Sequence, residues 1–218
     1  MCAIVGSYNF ETLLELVKLN SYRGSHSYSL SLFNTTTGIL SIHKKGFGFP
    51  NMSNFYIPKN TYGIVHIQAP TTEEKTFDSI HPAIITTKYK QWPDYALWHN
   101  GIIKAEVIKN KSTHLKTAWD TMQILLTLKG TDNEWSKLST FDGTFSCLMY
   151  DRERLSMYVF RNEISPLFID KEMNISSTKF EGSEETCPNV VFRMDFSYNK
   201  LINVGSFTTV ENPYYFTE

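Results

Sequence analysis

The chain of 218 residues, about 25 kDa, is long enough to bury a sizeable core and is expected to form one domain over residues 1–218. Charged residues make up 20% of it and the formal net charge is -1, which excludes a basic nucleic-acid stripe or an acidic tail as its organising feature. Three cysteines without a CxxC pair exclude a disulfide framework and a cysteine-rich zinc site, no apolar run approaches the roughly 18 residues of a membrane span, and a reducing, cytoplasmic setting is expected.

Ala3-Ile4-Val5-Gly6 is a short apolar run closed by glycine, which predicts a buried strand with Cys2 at its mouth. Residues 10–19 carry Leu13, Leu14, Leu16 and Val17 near helical spacing, with Glu11 and Lys18 at the ends where each favours the helix dipole. Residues 28–33, a turn over 34–38 and residues 39–43 predict a hairpin, broken at Lys44-Lys45-Gly46. A strand over 62–66 delivers His66, then Gln68 and Thr71, into a loop, and a second over 95–99 ends at Asn100-Gly101. Residues 115–128 predict one helix with Asp120 in its first half. Beyond Asp142-Gly143 the pattern changes to short strands at 145–150, 155–160, 167–169, 190–194 and 201–204. No linker or repeat divides the chain, so helices covering sheets built from both halves are expected, a layered mixed α/β arrangement.

Cys2 carries the first chemical signal. Methionine is readily trimmed before a residue as small as cysteine, and a chain starting at Cys2 holds a thiol and an α-amine on one residue. With an ordinary pKa of about 7.7 to 8.0 that amine relays the thiol proton near neutrality, so no histidine base is required. Retained Met1 turns the amine into a peptide nitrogen. The plain alternative for Cys2 is a small apolar side chain. Amide attack also needs two donors aimed at the developing oxyanion, which the Asn100 side chain and the Gly101 N–H offer; the plain alternative there is a hairpin turn. His66, His81 and His99 show no HExxH or i,i+4 pattern and are not expected to bind zinc, and His66 and His99 read as satisfied side chains beside the site or at the core edge, not bases. Gly46-x-Gly48 lacks a phosphate-loop context, and Lys44, Lys45, Lys109 and Lys111 read as solvated charges, so no metal, nucleotide or other cofactor is expected.

In chain order these segments resemble the class II glutamine amidotransferases, the family of glucosamine-phosphate synthase, asparagine synthetase, glutamate synthase and phosphoribosyl-pyrophosphate amidotransferase. Met1-Cys2-Ala3-Ile4-Val5-Gly6 is similar to the family's Met-Cys-Gly-Ile-Val-Gly opening, Arg23-Gly24 to its Arg-Gly near the nucleophile, and His99-Asn100-Gly101 to its oxyanion segment. Asp120-Thr121 resembles the segment whose carboxylate receives the substrate α-ammonium. Gly143 through Asp151, Arg161-Asn162 with Pro166-Leu167, and Ser176-Ser177 resemble scaffold segments. The resemblance implies an α+β class, the four-layer αββα sandwich of N-terminal-nucleophile (Ntn) hydrolases. It implies Cys2 as nucleophile, Asn100 and Gly101 as oxyanion donors, and Asp120, Gln68, Thr71, His66 and Arg23 at substrate-binding positions. The implied reaction is hydrolysis of the glutamine side-chain amide through a Cys2 thioester, with no cofactor and with a separate synthase or ligase accepting the ammonia.

Three positions depart from the family. Gln68 stands where it presents an arginine that forks onto the substrate α-carboxylate, His26 stands for an aspartate, and Ala3 for a glycine. A neutral amide does not match a charged bidentate clamp, and the cations nearest in sequence are Lys75, Lys88 and Lys90. On that ground two other readings stay open: an amide hydrolase whose substrate lacks a free α-carboxylate, and a non-catalytic binding or regulatory descendant.

Overall fold

The computed structural model describes residues 2–69, 77–86, 91–130 and 134–210. Alternation along the first strand already separates two layers. In β1 (Ala3–Ser7), Ala3 and Val5 pack with Leu13, Leu16 and Val17 of α1 (Phe10–Leu19), while Ile4 packs the opposite way with Trp98, Leu148 and Val159. Asn9 starts α1 by accepting the Thr12 N–H at 3.0 Å.

Beside β1 runs the sheet formed by β2 (Ser27–Asn34), β3 (Ile39–Phe47), β4 (Thr61–Gln68), β9 (Phe168–Ile169), β10 (Ile175–Ser176) and β11 (Glu184–Glu185), in the order β11-β9-β10-β1-β4-β2-β3. A second sheet takes β5 (Ala83–Ile85), β6 (Tyr95–Ile103), β7 (Gly143–Asp151), β8 (Ser156–Arg161), β12 (Val190–Asp195) and β13 (Lys200–Ser206), in the order β13-β12-β8-β7-β6-β5. All the pairings are antiparallel. Leu97, Phe145, Cys147, Met149 and Phe160 pack on Ile124, Leu125 and Leu128 of α3 (Asp120–Leu128), which closes the order helix, sheet, sheet, helix. That is the αββα layering expected from the sequence.

The hairpin does not break at Lys44-Lys45-Gly46, contrary to expectation: β3 runs on to Phe47, because a bulge opposite Leu30 and Ser31 absorbs one residue and restores the register. Lys45 then bonds Ile80 O at 2.6 Å and Pro82 O at 2.9 Å. Nor does β6 turn at Asn100-Gly101. It continues to Ile103, pairing Asn100 with Ser146 and Gly101 with Phe145, so the turn alternative falls. Glycine is required there because an added Cβ would lie 1.9 Å from Thr144 O.

The helix expected over 115–128 begins only at Asp120, and Leu115 ends a separate helix before it. α2 (Ala105–Leu115) stops where Lys116 takes a left-handed φ of 54°, and the Gln123 amide holds the break by donating to Ile108 O at 2.9 Å and Thr117 O at 2.7 Å. Asp120 consequently heads α3 rather than lying inside a helix. The sequence pattern misses α2 because none of its residues is buried, leaving only a weak apolar stripe.

Candidate active site

The pairing of β1 with β4 sets Ala3 opposite Ile67 and Ile4 opposite His66; one residue further, the same register puts Cys2 beside Gln68 on the face turned toward the second sheet. Cys2 is 5% exposed, with Sγ 3.8 Å from Ala69 O, and its carbonyl accepts the Arg23 Nε–H at 2.9 Å. Gly24 follows Arg23 because a Cβ there would meet Ala69 N and the Gln68 carbonyl carbon at 2.6 Å. The Ala3 methyl is absorbed in the α1 layer, on the face opposite the thiol. Burial raises the Cys2 thiol above its ordinary pKa and the charge of Asp120 adds to the rise, while hydrogen bonding at the Ala69 backbone and the Arg23 charge oppose it. A thiol held protonated at neutral pH needs a base at the moment of attack.

Asn100 is buried, with its Nδ2 3.4 Å from Ser177 Oγ, the same hydroxyl that accepts the Ile4 N–H at 2.9 Å. The side chain is thereby tied to the strand that begins next to Cys2. Phe145 turns its carbonyl to Asn162 N at 2.9 Å and its N–H to Asn162 Oδ1 at 3.2 Å, away from β6. By the alternation of an antiparallel ladder its partner Gly101 turns its N–H away from β7, toward the edge that β5 covers only as far as Leu97. The His99 carbonyl leaves β6 by the same edge and accepts the His66 Nε2–H at 3.1 Å, a bond joining the two sheets.

Gln68 is committed to the fold at both ends of its amide. Oε1 accepts from Ser27 Oγ at 3.1 Å and lies 3.2 Å from His81 Nδ1, and Nε2 donates to Ser79 O at 3.3 Å. His81 Nε2 is 2.9 Å from Thr121 Oγ1, so a neutral His81 protonated on Nδ1 satisfies both neighbours. Thr121 in turn donates its backbone N–H to Asp120 Oδ1 at 2.7 Å and lies 3.2 Å from His99 Nδ1. The Asp120 Oδ2 is 3.7 Å from that same imidazole nitrogen. Gln68 and Asp120 are therefore the two ends of one polar chain, in which one Gln68 N–H has no partner among the described residues.

His66 stacks on His81 at 4.1 Å between ring centroids, and both are buried. Burial lowers His66 to about 3, with the neighbouring charges of His99 and Lys45 adding and the bond to His99 O opposing; burial likewise holds His81 well below its ordinary value. The unfolded chain, with histidines near 6.5, then binds more protons than the folded one, so this stability is complete above that value and drains away as pH falls toward about 3. At pH 5 the loss from His66 alone is about 2 kcal/mol, and His81 adds in the same direction. Urea unfolding at pH 7 and pH 5 checks this; equal midpoints would remove the two histidines from the account.

The structure brings Cys2, Arg23, His66, Gln68, Asn100, Gly101 and Asp120 to one end of the two-sheet interface, through the bonds above and the field of Asp120 at Cys2. Arg23 is spent on the Cys2 carbonyl. His26, at the other departure, bonds Ser27 Oγ at 3.1 Å and sets its ring against Phe47. Met1, Thr71, Lys75, Lys88 and Lys90 lie outside the described residues. Sequence reasoning missed His81, Thr121, Ser27 and Ser177; only the strand register and the break before α3 bring them to the site. No helix among the described residues is long and apolar enough to cross a membrane, and no group of three or more His, Cys, Asp or Glu among them is arranged to hold a metal ion.

No family model and no curated protein matches the sequence. Among solved structures, a glutamine phosphoribosylpyrophosphate amidotransferase from B. subtilis, complexed with ADP and GMP, matches with a TM-score of 0.69 and 14% identity over 94% of this chain and 49% of its own. A structure described as the allosteric regulatory enzyme of purine biosynthesis matches with a TM-score of 0.68 and 15% identity over 98% of this chain and 50% of its own. The chain spans about half the length of the solved chains it matches. At that identity the likeness speaks for the fold, and the fold is the α+β, two-sheet Ntn-hydrolase architecture related to that of the glutamine amidotransferases.

Proposed function

We propose that this chain hydrolyses a side-chain carboxamide, glutamine in the first instance, through a thioester on Cys2. The observation that carries the reading is that Asn100 and Gly101 sit within a strand, with the Asn100 amide tied through Ser177 to β1 and the Gly101 N–H on the edge that β5 pairs only as far as Leu97. Cys2 Sγ attacks the carboxamide carbon while its proton passes to the α-amine exposed by loss of Met1. The carbonyl electrons move onto oxygen, where the Asn100 Nδ2–H and the Gly101 N–H receive them. Collapse breaks the C–N bond, the amine returns the proton, and ammonia leaves. Water then cleaves the thioester to a carboxylic acid and restores the thiol. Asp120, at the head of α3, receives the substrate α-ammonium, and the ammonia passes to a synthase or ligase acceptor. The test is ammonia release and a Cys2 acyl adduct, followed by intact mass, in protein verified to lack Met1; absence of both with glutamine and with simple carboxamides sinks the reading.

One observation favours a second substrate class. Gln68 carries no charge where a free α-carboxylate would need a fork, and among the described residues only one of its N–H groups is without a partner. An amide whose α-carboxyl is itself blocked meets no such demand. We expect wild type to prefer the α-carboxamide derivative of glutamine over glutamine in kcat/KM, and Gln68→Arg to reverse the order by roughly 10-fold, the scale of one charge-assisted hydrogen bond. Side-by-side hydrolysis rates decide it, and efficient use of free glutamine by wild type removes the argument.

A further inference from the structure

We propose that Ser177 is a positioning residue for this reaction, its hydroxyl setting the Asn100 amide against the strand that carries the nucleophile. The proposal rests on Cys2 and Asn100 acting as read above. The ladder between β1 and β10 pairs Val5 with Ser176 and Gly6 with Ile175. One step beyond, the Ser177 N–H still donates to Ile4 O at 3.0 Å, but the Ile4 N–H meets Ser177 Oγ, not a carbonyl, at 2.9 Å. The side chain has replaced the next backbone acceptor just where the ladder ends, two residues from Cys2.

That replacement fixes what the hydroxyl can do. Its oxygen accepts from Ile4 N and, at 3.4 Å, from Asn100 Nδ2, and its own proton points back toward Ile4 O at 3.5 Å. Two lone pairs and one proton are all used, in a residue 1% exposed. One of the two Asn100 Nδ2–H groups is thereby held on Ser177, which orients the amide plane and leaves the second N–H for the oxyanion. The neighbouring serine works elsewhere: Ser176 Oγ accepts from Asn20 Nδ2 at 2.8 Å and from Thr178 N at 3.0 Å, on the α1 side of the sheet. Ser176-Ser177 therefore divides into one residue for the scaffold and one for the site.

The experiment uses the full chain lacking Met1. Ser177→Ala should lower kcat by on the order of 10-fold with KM within about 2-fold, the scale of one neutral hydrogen bond. In an Asn100→Ala background the same change should alter kcat by less than about 2-fold, because the amide it positions is gone. Ser177→Thr, which keeps the hydroxyl, should recover most of the loss, and Ser176→Ala should lower Tm with little effect on kcat. Independent, additive losses in the double variant, or wild-type kcat in Ser177→Ala, overturn the proposal. If Ser177→Ala does not fold, hydrogen exchange of the wild-type Asn100 side chain decides: one protected amide proton supports the role and two rapidly exchanging protons overturn it. Absence of turnover in wild type overturns the glutaminase reading itself, whereas turnover with no link between Ser177 and Asn100 overturns only this assignment.

Discussion

Cys2→Ala is expected to abolish ammonia release and thioester formation, lowering kcat by roughly 1,000-fold or more, as removal of a nucleophile does. The fold should survive. Cys2 lies at the end of a strand, and an alanine there forfeits one sulfur's packing, worth about 1 kcal/mol. No other cysteine can substitute: Cys147 is fully buried on the α3 side of the second sheet with its thiol pushed far up by burial, and Cys187 is exposed on the segment before β12. Intact mass after incubation with substrate, beside an ammonia assay, reads both consequences. Turnover at the wild-type rate in the alanine variant would remove Cys2 from the chemistry, and loss of the folded state would give it a structural role instead.

For Asn100→Ala we expect kcat to fall by about 100-fold or more, the general cost of removing one oxyanion donor. The loss in stability is expected to be about 1 kcal/mol, since Ser177 Oγ keeps its bond to Ile4 N and only one long hydrogen bond disappears. The two effects differ in size enough to separate. A kcat close to wild type would leave Asn100 a residue of the strand and nothing more, and a kcat loss that merely tracks unfolded protein would show in the thermal transition.

What was legible in the sequence follows the strength of each local signal. The first strand and α1 were readable because Ala3 through Gly6 is an unbroken apolar run and Leu13, Leu14, Leu16 and Val17 fall near helical spacing, and the layers followed from strands on both sides of the helical segment. Asn100-Gly101 misled because its dipeptide preference for a turn is real but loses to two flanking ladders and to the close approach of Thr144, which only glycine admits. The break at Lys116 was hidden because Leu115, Ala118, Met122 and Leu125 keep helical spacing across it; what ends α2 is a side-chain bond from Gln123, which no periodicity records. At the candidate site, Cys2 and Asn100 stood out as residue types suited to amide chemistry, and Asp120 only through the family resemblance. His81 and Ser177 did not, since each acquires its meaning from a partner about 40 or more residues away, Thr121 for one and Asn100 for the other.

The straight course of β6 through Asn100-Gly101 also bears on how long the protein lasts. Asparagine before glycine is chemically fragile, because the glycine nitrogen can fold back onto the carboxamide, close a succinimide ring and release the side-chain nitrogen as ammonia, after which water opens the ring to isoaspartate or aspartate. That closure needs a bent backbone and a free carboxamide. Here the pair is held extended against β7 and the amide is tethered to Ser177. Unfolding removes both restraints at once, and the isoaspartate or aspartate formed would place a negative charge at position 100, where the neutral amide had offered a donor. Ring closure is slow beside refolding, so damage at deamidation-prone Asn100 follows the equilibrium fraction of opened chain, and the stability of the fold, more than a slow rate of unfolding, protects it.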